Sequence, residues 1–277
     1  MVRKKFSVSS IFIHGFLMSI VALNLFPVLW MASCSLKTQE EIFASSSLIP
    51  KIFHWENYVY AWTKGNFHIY FANSLLYAAA TLLGVIFVSS MAAYAFAQAN
   101  FRGAKILFTF FIASMMIPIP GAFIPLYVLL IKLHLANTRL GLILPYINSG
   151  LALSIFILKG FFEEIPKEMH EAATIDGCGT FGIYWHIYLP LAKPAIMAVS
   201  IFTTLNVWNE VLLALVIIND SNLMPIQRGA LEFQGQHFTN YPILMAALTI
   251  STAPILVIYF LLQRHIIKGL AEGALKE

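Results

Sequence analysis

The chain has 277 residues, of which 59% are hydrophobic and only 11% charged, against roughly half apolar and a quarter charged in soluble domains. A soluble chain of this length cannot hide that much apolar surface, so the composition excludes a water-soluble globule and points to the bilayer. The formal charge of +4, from 17 basic and 13 acidic residues, comes with no block of basic residues interleaved with aromatics, which argues against a nucleic-acid face.

The opening 1-MVRKKFSVSS-10 has the positive start of a signal peptide. The apolar run behind it continues to about Ser33, too long for a signal h-region and without a small-residue cleavage site, so it is expected to remain as the first membrane helix. A hydrocarbon core of ~30 Å needs ~20 apolar residues per helix. Six segments qualify: 11–33, 73–97, 106–131, 141–158, 195–218 and 243–263. An even number of spans puts both termini on one side. With that side cytoplasmic, Arg3, Lys4, Lys5, Arg102, Lys105, Lys159, Lys167, Lys193, Arg264, Lys268 and Lys276 lie inside, and Lys37, Lys51, Lys64, Lys132, Arg139 and Arg228 outside. The split of 11 against 6 favours both termini inside. Residues 34–72 and 219–242 then form external segments, and 159–194 is cytoplasmic. Cys34 and Cys178 fall on opposite sides, so no disulfide is expected.

Within the third span, 115-MMIPIPGAFIP-125 holds Pro118, Pro120, Gly121 and Pro125, which must break a helix. Broken backbone at membrane depth lies against protein or a watery cavity, as a gated pathway lining would. A kinked structural helix fits the same residues. Pro145 and Pro254 are single prolines of the kind membrane helices tolerate.

The cytoplasmic stretch 163-EEIPKEMHEAATIDGCGTFGIYWHIYLPLAKP-194 is too polar to span and too patterned for a slack linker. Pro166 suits a first helical turn, and Glu163, Glu164 and Glu168 cluster at that positive helix end. Gly177 stands where a helix of about three turns needs a left-handed cap. Thr180 is expected to cap a second helix running to Leu189, with Pro190 and Pro194 ending it. On the first helix Met169, Ala172, Ala173 and Asp176 share a face open to close backbone approach, with Glu171 projecting a charge beside it. On the second, Phe181, Tyr184, Trp185 and Tyr188 share another. From the residues alone, a hairpin folded on its own bundle and a docking site are both open.

The fifth span carries Thr203, Asn206 and Glu210 at steps of three and four, with Trp208 and Asn209 beside them. A carboxylate inside a span usually faces a cavity or a partner. Amides, a carboxylate and an indole there could line a pathway for a polar cargo. Equally, such groups hold membrane helices together.

The chain contains no G-x-x-x-x-G-K-[ST], and no glycine is followed by lysine, so it lacks the loop that cradles ATP phosphates. There is no H-E-x-x-H, no C-x-x-C and no G-x-S-x-G, and the eight histidines are scattered. No catalytic residue, metal or cofactor is assigned to it. An ion-driven secondary transporter would need carboxylates in several spans and preferably two related halves, whereas Glu210 alone lies clearly within a span.

Glu171, Ala172, Ala173, Asp176 and Gly177, followed by Ile187, Leu189 and Pro190, resemble the EAA motif of permease subunits of bacterial ATP-binding cassette importers. Cys178 and Gly179 stand where alanine and a small polar residue are more familiar. The pieces 27-PVLWMASCSLKTQEEI-42, 57-NYVYAW-62, 73-NSLLYAAAT-81, 208-WNE-210 and 263-QRHIIKGLAEGALK-276 are similar to the carbohydrate-uptake branch, in particular its maltose-type second permease. The resemblance implies an all-α membrane fold of the type I importer class, six spans with a cytoplasmic coupling loop at 159–194. It implies a tail, first helix and external loop over 1–66, a permease domain over 67–265 and a cytoplasmic tail over 266–277. It implies partners: a second, unlike permease, two copies of an ATP-binding subunit that holds ATP and Mg, an external solute-binding protein, and a sugar as cargo. A glycerol-phosphate importer of the same branch is the alternative.

Overall fold

The structure, a computed structural model, describes residues 8–98, 101–116, 119–235 and 239–274. Arg3, Lys4, Lys5 and Lys276 of the charge count, and Ile117 and Pro118 of the proline-rich stretch, lie outside the described residues. The described residues are helical throughout, with one isolated bridge between Gln234 and Thr239.

The helices run α1 (Val8–Cys34), α2 (Gln39–Ala44), α3 (Glu56–Thr63), α4 (Phe67–Gln98), α5 (Ala104–Ser114), α6 (Phe123–Lys132), α7 (Arg139–Glu163) and α8 (Lys167–Ile175). They continue as α9 (Thr180–Leu191), α10 (Lys193–Asn209), α11 (Leu212–Ile217), α12 (Ile226–Ala230) and α13 (Tyr241–Ala274). Among the described residues α1, α4 and α7 are each long and apolar enough to cross a membrane. The α9–α10 pair passes the same test as one bent segment, while α5, α6 and the 241–257 part of α13 are shorter apolar helices.

Two expected spans are not single helices. The third is α5, a 3₁₀ turn at Ile119–Ala122, then α6. This is the break that the prolines and Gly121 require, and Pro125 is tolerated in the first turn of α6 because no helical bond needs its N–H there. The fifth, read as 195–218, breaks after Asn209. Glu210 is extended (φ −73°, ψ 128°) and the helix restarts at Leu212.

The chain divides into two compact units. One comprises Met1–His68 and Ala230–Pro254, the other Ile69–Gly229 and Ile255–Glu277. In the first unit, α2 starts on Thr38, whose hydroxyl accepts from the Glu41 N–H at 3.2 Å. Gln39 then donates to the Thr239 carbonyl and accepts from the Tyr241 N–H, while the Phe43 and Tyr241 rings meet edge-on. In the second unit the core runs along α4, α7, α9 and α10. Val85, Ile155, Leu158, Phe162, Tyr188 and Val199 are among its most buried side chains. Gly84 allows Ile147 to lie directly on the α4 backbone, and Gly150 does the same for Val85. Close approach through small residues is how membrane helices gain packing without a hydrophobic drive.

Candidate functional site

The helix pair at 167–191 starts on Pro166, which is the cap residue rather than part of the first turn, and α8 begins at Lys167. Glu168 lies in the favourable first turn, but Glu163 does not share that end. It closes α7 and pairs with Lys159 at 2.6 Å, four residues back on the same helix. The C-terminus of α8 carries a full Schellman closure. The Cys178 N–H donates to the Ala173 carbonyl at 2.9 Å and the Gly177 N–H to Thr174 at 3.1 Å. Gly177 sits at φ +82°, the left-handed conformation expected for it, and a Cβ there would meet nothing within 4 Å. Its requirement is therefore set by the backbone alone.

Thr180 does not cap α9. Gly179 does, without a side-chain bond, and Thr180 is the first helical residue. Nor does Pro190 end the helix. Residues Tyr184–Tyr188 form a π turn, with the Leu189 N–H reaching the Tyr184 carbonyl, and the helix continues through Pro190 to Leu191. A proline ring clashes with the carbonyl four residues before it. A wider turn immediately upstream relieves that clash, so the helix passes the proline. The chain then bends by 74° into α10.

The aromatic residues that helical spacing puts on one face do not share one environment. Tyr184 and Tyr188 are buried, whereas Phe181 and Trp185 remain 66% and 54% exposed. The buried pair is clamped by α4 and α7. The Tyr184 hydroxyl meets Ser90 at 2.8 Å, Tyr94 donates to the Thr180 carbonyl at 3.2 Å, and the Tyr188 ring lies 4.9 Å from Tyr94 and 5.6 Å from Phe162. The alanines divide as well: Ala173 is buried against this cluster, while Ala172 is exposed with Met169, Glu171 and Asp176. Ile175 is 86% exposed. Ile187 and Leu189 are half-buried against the core, and Pro190 is exposed. Ile175, Phe181 and Trp185, exposed together, were the part helical spacing missed, because contacts with Ser90 and Tyr94, distant in sequence, select Tyr184 and Tyr188 as the buried pair.

The polar stripe of the fifth span does not hold together as one face. Thr203 is buried near Gly150, Asn206 is exposed, and Trp208 is buried edge-on to Phe71. Asn209 is exposed and donates to the Leu205 carbonyl at 2.8 Å, within its own helix. Glu210 is half-buried at the helix break. Its carboxylate accepts from the Tyr146 hydroxyl at 2.8 Å and from the backbone N–H groups of Leu213 at 2.7 Å and Ala214 at 3.3 Å. Val211 is the N-cap residue of α11, and the carboxylate of Glu210, one residue before it, takes the first-turn N–H groups, where an anion is favoured at a helix start.

Beyond the break, α11 and the segment behind it are tied down. The Asn137 amide oxygen accepts from the N–H groups of Asn219 and Asp220, and Asn73 donates to the carbonyls of Asn222 and Met224. Tyr77 donates to the Leu223 carbonyl at 2.7 Å. Cys34 is buried and Cys178 exposed, and both are free thiols.

Compared with known proteins, residues 85–272 match the family described as binding-protein-dependent transport system inner membrane component. The chain is 34% identical over 274 residues to a probable ABC transporter permease protein, YurM, of Bacillus subtilis, covering 99% of this chain and 91% of that protein. It is 32% identical to the diacetylchitobiose uptake system permease protein NgcG of Streptomyces coelicolor, over 95% of this chain and 88% of that one. It is 33% identical to the trehalose/maltose transport system permease protein MalG of Thermococcus litoralis, over 95% of both. The fold aligns with a chain from the crystal structure of a bacterial ABC transporter that imports the acidic polysaccharide alginate. The TM-score is 0.82 at 21% identity, over 95% of this chain and 99% of that one.

Proposed function

This chain belongs to the family of binding-protein-dependent transport system inner membrane components, and we propose that it forms half of the pathway by which an ATP-binding cassette importer takes up a sugar or oligosaccharide. It is a permease subunit and not an enzyme. Hydrolysis belongs to two copies of a separate ATP-binding subunit that hold ATP and Mg. A second, unlike permease supplies the other half of the pathway, and an external solute-binding protein delivers the cargo. Relatives named for diacetylchitobiose, arabinooligosaccharides and trehalose/maltose support the carbohydrate reading.

The observation that carries the coupling role is the two-sided build of α8–α9. One side, through Ala173, Tyr184 and Tyr188, is clamped to α4 and α7. The other leaves Glu171, Ala172, Ile175, Phe181 and Trp185 exposed, with Asp176 and Gly177 at the turn. On this reading the exposed side seats in a groove of the ATPase, and movement of the groove is delivered to the membrane helices. Ile187, Leu189 and Pro190 shape the exit of α9 toward α10. Residues 159–194 and both termini are then cytoplasmic, as the basic residues favour, and the domain limits of 1–66, 67–265 and 266–277 are those the family resemblance implies.

For the pathway, Thr203, Asn206, Trp208, Asn209 and Glu210 remain the candidates on the fifth span. Asn206 and Asn209 are the exposed members and the better placed to meet cargo. The test is co-expression with the ATPase and partner permease. Phe181→Ser with Trp185→Ser is expected to lose the ATPase on purification while retaining the second permease. Full retention of the ATPase and of sugar-stimulated ATP hydrolysis by that double variant would overturn the coupling role.

A further inference from the structure

We infer that α3 is an interfacial helix whose Trp55, Val59 and Trp62 side embeds in the headgroup–acyl boundary of the leaflet at the Cys34 end of α1. The inference rests on the membrane placement of the chain and is independent of its cargo or its ATPase.

The depth of α3 is fixed covalently and by hydrogen bonds. In the chain it lies between α1 and α4, after α2 and three residues before α4, so membrane helices precede and follow it. Its first turn is also stapled to the exit of α1. The Asn57 amide donates to the carbonyls of Ser35 at 2.9 Å and Lys37 at 3.1 Å, the Tyr58 hydroxyl meets Ser35 at 2.6 Å, and the His54 N–H reaches the Leu36 carbonyl at 2.9 Å. Below that junction the side chains of α1 from Phe12 to Leu29 are exposed. An apolar surface of this kind is stable only in lipid or against another membrane helix, and α3 continues it at its upper edge.

The chemistry of the helix divides accordingly. Ala61 is fully buried and Asn57 and Tyr58 are held against the α1 exit. Trp55, Val59 and Trp62 follow at steps of four and three beside that side: Trp55 and Val59 are 62% and 61% exposed and Trp62 40%, the Trp55 ring lying 6.0 Å from Tyr58 and the Trp62 ring 6.4 Å from His68. Lys51 precedes this stretch and Lys64 follows it, both exposed. Tryptophan and tyrosine concentrate at membrane interfaces because they pair an apolar ring with a polar tip. Flanking lysines lay their stems on apolar surface and keep the ammonium among phosphates.

The test is a nitroxide at Val59→Cys, in a background with Cys34→Ala and Cys178→Ser. The chain is assembled with its partner permease and ATPase and reconstituted in vesicles of phosphatidylethanolamine and phosphatidylglycerol. Collision with oxygen, which partitions into lipid, is compared with collision with a nickel chelate, which stays in water. The expected result is a severalfold higher oxygen-to-chelate ratio at Val59→Cys than at a Glu40→Cys control. A ratio equal to the control would mean that α3 stands in water. Weak collision with both reagents would mean that a protein covers it. Either result overturns the inference, and a matching label at Trp62→Cys guards against one misfolded variant. Loss of the ATPase from the complex would count against the coupling role and not against this placement.

Discussion

Replacing Glu210 tests whether the membrane carboxylate is a structural cap or a cargo ligand. The carboxylate holds three donors: the Tyr146 hydroxyl and the N–H groups of Leu213 and Ala214. Glu210→Ala removes the cap of α11, about 1 kcal/mol by the usual cost of losing a helix cap. It also strands the hydroxyl of Tyr146, which is almost wholly buried, for a further ~1–3 kcal/mol. The expected destabilisation is therefore roughly 2–4 kcal/mol. Tyr146→Phe removes the hydroxyl together with its need for a partner and leaves the cap in place, so it is expected to cost about 0.5–1.5 kcal/mol. Glu210→Gln keeps an acceptor for the backbone donors and is expected to be the mildest.

The decisive comparison is the double variant. Once Glu210→Ala has stranded the phenol, adding Tyr146→Phe relieves it, so the pair should cost less than the sum of the singles. Thermal unfolding of the purified complex in detergent, followed in parallel with vesicle uptake, reads both stability and transport. Wild-type stability in Glu210→Ala, or strict additivity in the double variant, would refute the cap argument. A stable Glu210→Gln complex that no longer transports would move the residue from structure to pathway.

Three further outcomes follow from the geometry. Gly177→Ala and Gly177→Leu should impair coupling to a similar degree, because the left-handed backbone costs about 1–2 kcal/mol for any side chain and no neighbour meets the added carbons. Gly177→Asn should be milder, and sugar-stimulated ATP hydrolysis against basal hydrolysis is the readout. Tyr184→Phe should lower the thermal stability of the chain by about 0.5–1.5 kcal/mol through loss of the bond to Ser90, whereas Phe181→Ser should leave stability intact and weaken ATPase retention. For orientation, an impermeant thiol reagent should label Cys178 in inside-out vesicles and not in intact cells, and label Glu40→Cys in intact cells. The reverse pattern would invert the topology. Buried Cys34 is unsuited to that test.

Much of the helix plan is readable from hydropathy alone, because lipid requires long apolar runs and backbone satisfied within each segment. The cap at Gly177 is equally readable, since few residues other than glycine end a helix in that conformation. The break at Ile119–Ala122 announces itself through its prolines. What could not be read is anything fixed by a partner distant in sequence. Spacing puts Phe181, Tyr184, Trp185 and Tyr188 together, and only the position of Ser90 and Tyr94 decides which two turn inward. Glu210 reads as an acid on a helical stripe because the break that makes it a cap comes from its own carboxylate capturing the N–H groups ahead of it. Glu163 reads as part of the α8 start because the end of α7 is not marked by any breaker until Pro166.

Such long-range contacts also determine how a push on the exposed side of α8–α9 would travel. The bonds from Tyr184 to Ser90 and from Tyr94 to Thr180, with the edge-on contact of Tyr188 and Phe162, join α9 to α4 and α7. The chain itself joins it to α10 through a single bend at Ala192, whose N–H still bonds the Tyr188 carbonyl at 2.9 Å. A displaced α9 therefore moves α10 with it, and α10 is continuous to Asn209. At Glu210 that continuity stops. The helix bonds give way to one carboxylate, and beyond it the Asn137 N–H holds the end of α11 at the Ile217 carbonyl while Asn137 and Tyr77 hold the following segment at Asn219 and Leu223, all within the same unit. On the proposed reading, motion entering at Phe181 and Trp185 is carried stiffly along α10 and taken up at residues 210–211. A cap made of three hydrogen bonds to one side chain can release and re-form, whereas an unbroken helix would have to move the pinned segment as well.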